Sequence, residues 1–297
     1  MDGLLSRRSR CVTLLGLDVI ATVGTMPDLK ELALKQLADY DALDPGRIFD
    51  GPPPIESQAD AYALQMEVAK LRIARGERLA GYKIGCIGDV VRKQLQMDRV
   101  LFGHVWASEL HESGAKLDPA SYAKLAIEGE FAVRPATDIP DAGWLQSHKY
   151  EALGAFFPVI ELHNYVLRTA HPSLELIANN GIHAGAVLPL AENAATHADA
   201  LLREPISVYK NGEMLGETRG DSIPRGPFAS LCQLVDHLAL YGIHLKRGQI
   251  ILTGTPLPLY PVQDGDRIEV RTRNFGQVNV TVHSASGYQS KTLRAFG

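Results

Sequence analysis

Residues 127–133 of this 297-residue chain read IEGEFAV, two glutamates one residue apart in an apolar run. Strand side chains alternate between faces, so Glu128 and Glu130 share one face, and Ile127, Gly129, Phe131 and Val133 take the other. Two carboxylates ~6.6 Å apart repel by roughly 2–3 kcal/mol at an effective dielectric of about 20. A solvated edge strand would screen that repulsion. In a cleft it calls for a basic neighbour, a shifted pKa, or a cation held by both groups. A third acid, Glu161, follows Val159-Ile160 in a second strand-like run, with the solvated strand acid again as its alternative. No histidine or cysteine is paired with these acids at ligand spacing. Three strand carboxylates suit a hard divalent ion, Mg²⁺ or Mn²⁺, with coordination positions open to water and substrate.

Other residues could join them. Lys83 sits in GYKIG, where flanking glycines let a ligand approach, or else it is a solvated strand lysine. ANNGIHAG, residues 178–185, offers Asn179, Asn180 and His183, or simply a loop with capping asparagines. LTGTP, residues 252–256, closes a strand with Thr253 and a glycine, a common strand-to-turn junction. His104 and His183 are possible proton carriers as well as possible structural histidines.

The elements that must position these groups are legible in outline. A first helix is predicted over about 27–40, with Thr25 as cap, Pro27 at its first position and Asp28 in its first turn. A second starts at Ser57, with Asp60 completing a capping box, and runs to Gly76 with Ala61, Leu64, Val68, Leu71 and Ile73 on one face. From Leu79 onward short strand-like runs dominate, with Asn211-Gly212 as a hairpin turn. A further helix is predicted over 227–241, from a proline to Gly242. The fold class is α+β, with a rolled or barrel-like sheet after a small helical segment. Three parts follow: a disordered extension over 1–26, a helical segment over 27–78, and a catalytic domain over 79–297.

A net charge of −4 excludes a basic field for nucleic acid or an anionic membrane. Three scattered cysteines form no disulfide framework and point to a reducing, cytoplasmic setting. No apolar run approaches the roughly 20 residues of a membrane span. The N-terminal stretch resembles an export signal, but Asp18 interrupts its apolar part and no cleavage site follows cleanly.

In this order, GYKIG, the Glu-x-Glu strand, a third acid about thirty residues on, an asparagine turn, a late helix and then ILTG resemble a known group over residues 57–283. It is the 2-oxopent-4-enoate hydratases and 4-oxalocrotonate decarboxylases of the fumarylacetoacetate hydrolase superfamily. The resemblance implies a mixed, rolled β-structure with a metal at its mouth. It implies that Glu128, Glu130 and Glu161 bind Mg²⁺ or Mn²⁺, that Lys83 is the active-site lysine, and that Asn180, His183 and Thr253 meet substrate. The substrate class is a short 2-oxo acid or its dienol, as in aromatic catabolism. Hydratases add water across the far double bond; decarboxylases lose CO₂.

The chain departs from the hydratase pattern at Leu101, where an acid is expected before Phe102-Gly103, and this resembles the decarboxylase branch. It departs again at His163-Asn164-Tyr165 and at Asn179-Asn180, while LTGTP looks closer to the hydrolase branch. An acylpyruvate-type C–C hydrolase and a non-catalytic metal-binding partner subunit are the alternatives. A homo-oligomer, and association with an enzyme of the same pathway, are implied as well.

Overall fold

The computed structural model describes residues 28–169, 172–195 and 199–284. The expected 1–26 extension, Thr25 and Pro27 lie outside them. The first helix, α1 (Leu29–Asp41), is capped by Asp28, whose side chain accepts from the Lys30 amide at 2.9 Å. Asp28 is therefore the cap and not a first-turn residue. The next helix, α2 (Gln58–Ala74), begins with the Ser57–Asp60 capping box. Ala61 and Leu64 are buried, Val68 and Leu71 half-buried, and Ile73 is solvent-exposed, so the apolar stripe ends one turn early.

The strands are β1 (Leu79–Gly85), β2 (Leu101–Trp106), β3 (Leu110–Glu112), β4 (Lys116–Leu117), β5 (Leu125–Pro135), β6 (Leu153–Asn164), β7 (His183–Leu188), β8 (Asn193–Ala194), β9 (Pro205–Lys210), β10 (Glu213–Arg219), β11 (Ile250–Leu252), β12 (Tyr260–Pro261), β13 (Arg267–Thr272) and β14 (Gln277–Val282). Between them lie short helices α3 (Asp89–Gln94), α4 (Ala142–Ser147), α5 (Lys149–Ala152) and α6 (Pro172–Ala178), and the longer α7 (Gly226–Ala239). The β9–β10 hairpin turns at Asn211 and Gly212, both left-handed, as a type I′ turn requires. Strand β2 is buried at every position, so it shows no alternation that could mark it in the sequence.

The larger sheet is mixed and curls into a half-barrel in the order β2-β1-β11-β5-β6-β7-β3, with β12 and β8 added to its sides. A second sheet, β10-β9-β13-β14-β4, packs on its outer face. Gly129 allows that contact: a Cβ there would stand 2.5 Å from Val208 Cγ2 and 3.0 Å from Val270 Cγ2. Ile127 and Phe131 join the same core. Inside the curl, Val105, Ala132, Ala155, Phe157, Val159, Ala186, Ile250 and Leu252 form a separate apolar cluster. Strand β5 is paired on both sides, by β11 and β6, which overturns the edge-strand reading of IEGEFAV. The α1–α2 pair packs on the flank of β2, where Gln65 Nε2 donates to Phe102 O and Ile177 O. Among the described residues, no helix is long and apolar enough to cross a membrane.

Candidate active site

The register of β5 on β6 sets Glu128 directly opposite Glu161. Directly opposed residues of neighbouring strands share a face, so Glu128, Glu130 and Glu161 project into the curl with His163, two residues beyond Glu161. Lys83 joins the same face through β1 and β11, being aligned with Leu252, which is in turn aligned with Ala132. Its Nζ lies 3.2 Å from Glu161 Oε1.

Glu130 and Glu161 each have one oxygen hydrogen-bonded by the protein. Glu130 Oε2 accepts from the Gly254 amide at 2.9 Å. Glu161 Oε1 is 2.7 Å from His183 Nδ1, while Glu161 Oε2, fully buried, has no hydrogen-bond partner. His163 Nε2 lies 3.1 Å from Glu128 Oε2 and 3.7 Å from Glu161 Oε2, yet makes a directed hydrogen bond with neither. Atoms of Glu128, Glu161 and His163 converge within 4.8 Å. Buried donor atoms that meet without bonding one another are the arrangement a cation completes.

The electrostatics agree. Burial opposes a charge on Lys83, but Glu161, Glu130 and Glu128 outweigh it and hold the ammonium above the usual lysine range. Burial also pushes Glu161 upward; Lys83, His163 and His183 prevail and keep it ionised far below the usual range. Glu130 goes the other way, driven well up by burial and then by the charges of Glu161 and Glu128. Three carboxylates at this spot need more positive charge than one lysine provides.

The remaining expected residues act around this cluster and do not line the cleft beside it. Asn180 clamps β2: its Oδ1 accepts from the His104 amide at 2.6 Å and its Nδ2 donates to His104 O at 2.8 Å. Asn180, Gly181 and Ile182 are all left-handed, with φ of 57°, 64° and 54°. A branched residue such as Ile182 adopts this conformation only when its surroundings force it. Gly181 is required there, since a Cβ would stand 2.7 Å from Leu101 Cδ2 and 3.3 Å from Lys83 Nζ. Thr253 is fully buried and its hydroxyl donates to Phe131 O at 2.9 Å, fixing β11 against β5. His183 is buried against Glu161. His104 faces the helices and stacks near Trp106; burial pushes it down to about 4. The group that sequence reasoning missed is His163. Its signal was present, because Glu161-x-His163 repeats the same-face spacing of Glu128-x-Glu130.

The family model for the fumarylacetoacetate hydrolase C-terminal domain matches residues 98–283. The chain belongs to that family. It is 25% identical over 247 residues to 2-hydroxyhexa-2,4-dienoate hydratase of Comamonas testosteroni, covering 81% of this chain and 93% of that protein. It is 27% identical over 229 residues to 2-oxo-hept-4-ene-1,7-dioate hydratase of Escherichia coli, covering 74% and 85%. Its fold matches 4-oxalocrotonate decarboxylase from Pseudomonas putida G7, complexed with calcium and acetate, at a TM-score of 0.78 and 24% identity over 87% of this chain and 98% of that one. The same decarboxylase complexed with magnesium and adipate gives 0.78 at 23% identity, over 86% and 97%. This family fold is the mixed, curled sheet described above.

Proposed function

We propose that this chain is a divalent-metal-dependent lyase acting on a short 2-oxo-alkenoate or its dienol, as a hydratase or a decarboxylase. The observation that carries the reading is the meeting of Lys83 with Glu128, Glu130, Glu161 and His163 at one end of an otherwise apolar cleft. Glu128, Glu130 and Glu161 are the proposed holders of Mg²⁺ or Mn²⁺, since hard ions prefer oxygen and Glu130 and Glu161 each have one oxygen steadied by a hydrogen bond. When bound, the ion supplies Lewis acidity to the carboxylate and C2 oxygen of a 2-oxo acid. Lys83, kept as an ammonium, donates to that C2 oxygen as negative charge collects there and is a proton source beside it. Leu101 packs beside the lysine and carries no proton, so the acid expected there has no substitute at that position. His183 positions Glu161; Asn180 and Thr253 hold the turn and strand around the lysine.

A second ligand set, with His163 replacing Glu130, is favoured by the convergence of Glu128, Glu161 and His163. The substrate reading is tested by following 2-hydroxypenta-2,4-dienoate and 2-hydroxymuconate by NMR, with Mg²⁺ or with EDTA. The expected outcome is turnover of at least one, abolished by EDTA. Turnover that survives EDTA, or silence on both while Mg²⁺ is bound, would sink it. Self-association belongs to the same reading, and a single monomeric species in sedimentation velocity would remove it.

A further inference from the structure

The cleft beside the acids has a volume of about 530 Å³. That falls within the range of pockets that enclose drug-sized ligands. The shortest acids of the proposed class fill only a part of it. Its charged lining, Lys83, Glu128 and His163, is confined to the metal end. The other walls are mostly apolar, with Ile87, Val91, Leu95, Leu101, Leu257 and Leu259 as the large side chains and Ser222 and Thr255 as the hydroxyl groups among them. Val91 stands on α3, a helix with no buried residue, and is 43% exposed at the cleft. Arg92, which follows Val91 on α3, is committed elsewhere: its Nη1 donates to Cys86 O at 3.0 Å and Ile87 O at 2.7 Å, and its Nη2 pairs with Asp89. Among the described residues lining the cleft, Lys83 and His163 are the basic ones, both at the metal end, and no lysine or arginine lines the rest.

We infer that this cleft selects a 2-oxo acid whose distal end is an uncharged alkyl or aryl tail, and that Ile87, Val91, Leu95, Leu257 and Leu259 discriminate against a second carboxylate. The inference rests on the metal-held 2-oxo head proposed above. A carboxylate buried against these walls loses water and gains no cationic partner, whereas a hydrocarbon tail is removed from water at no such cost. The reading therefore favours a monocarboxylate dienoate with an uncharged tail over the dicarboxylate 2-hydroxymuconate as substrate.

The test separates this inference from the function it deepens. Isothermal titration of the whole chain with Mg²⁺ uses saturated 2-oxo acids, which bind without undergoing diene chemistry: pyruvate, 2-oxopentanoate, 2-oxohexanoate, 4-phenyl-2-oxobutanoate and 2-oxoadipate. Affinity is expected to rise roughly fourfold with each buried methylene. The dicarboxylate 2-oxoadipate should bind at least about tenfold more weakly than 2-oxohexanoate. Val91→Arg, a change at an exposed position, should narrow or reverse that order. Flat affinity across the tails, tighter binding of 2-oxoadipate, or higher kcat/KM on the dicarboxylate substrate overturns the inference. A rising tail trend without turnover of any dienoate removes the lyase reading alone. Turnover with a flat trend removes only the inference, and failure of every acid to bind removes both.

Discussion

The two faces of β5 share one backbone and serve opposite ends. Outward, Ile127, Gly129 and Phe131 pack without gaps against the second sheet. Inward, Glu128 and Glu130 crowd against Glu161 and Lys83, where buried like charges oppose folding. The difference shows where the stability resides. The outer face supplies apolar burial; the inner face draws on it to hold groups that water would otherwise separate.

The comparison breaks most sharply at Glu130. Glu130→Gln should lower Mg²⁺-dependent kcat/KM at least about a thousandfold, ~4 kcal/mol of transition-state stabilisation. Its melting temperature without metal should not fall, because the change removes charge and not packing. His163→Gln should weaken metal affinity about 10- to 100-fold. If titration with Mn²⁺ shows the reverse order, the imidazole belongs to the ligand set in place of Glu130.

Lys83→Met should lower turnover by roughly 10²- to 10⁴-fold. It also strips the buried acids of their cation, so the metal-free variant should melt lower than wild type, with Mg²⁺ restoring most of the loss. A variant as stable as wild type without metal would show that Lys83 does not balance Glu161.

On the outer face the expected effects are smaller and concern stability alone. Gly129→Ala pushes a methyl into Val208 and Val270, at a cost of about 1–3 kcal/mol. Activity per folded molecule should hold, as checked by denaturant midpoint and assay on the same sample. Loss of activity at unchanged stability would mean that the two faces are coupled.

The weakest lever is pH, acting on histidines packed away from the acids. Burial pushes His104 and His237 down from 6.5 to about 4. Between those values the unfolded chain binds more protons than the folded one, so stability rises with pH. The contribution is full above about pH 6.5 and is lost as pH falls through about 4. His237→Gln should flatten that slope, by on the order of 2–4 °C in melting temperature. An unchanged slope would mean that other groups carry the acid sensitivity.

Local periodicity made several features readable in the sequence. The Ser57–Asp60 capping box, the Asn211-Gly212 turn and the strand alternation that put Glu128 and Glu130 on one face depend only on near neighbours. Family-level order among GYKIG, the Glu-x-Glu strand and ILTG was likewise visible, and the match over residues 98–283 spans the last two of these. Strand β2 was not legible, because a fully buried strand lacks alternation.

What tertiary structure decided is the meeting of distant groups. Only the β5–β6 register sets Glu128 against Glu161, and only the curl of the sheet and the β6–β7 pairing bring Lys83 and His183 to the same carboxylate. Asn180 and Thr253, expected at substrate, hydrogen-bond backbone groups of neighbouring strands. The physical reason is range. Side-chain direction is fixed by a residue's own strand, whereas pairing, burial and the charge a group carries depend on elements far along the chain.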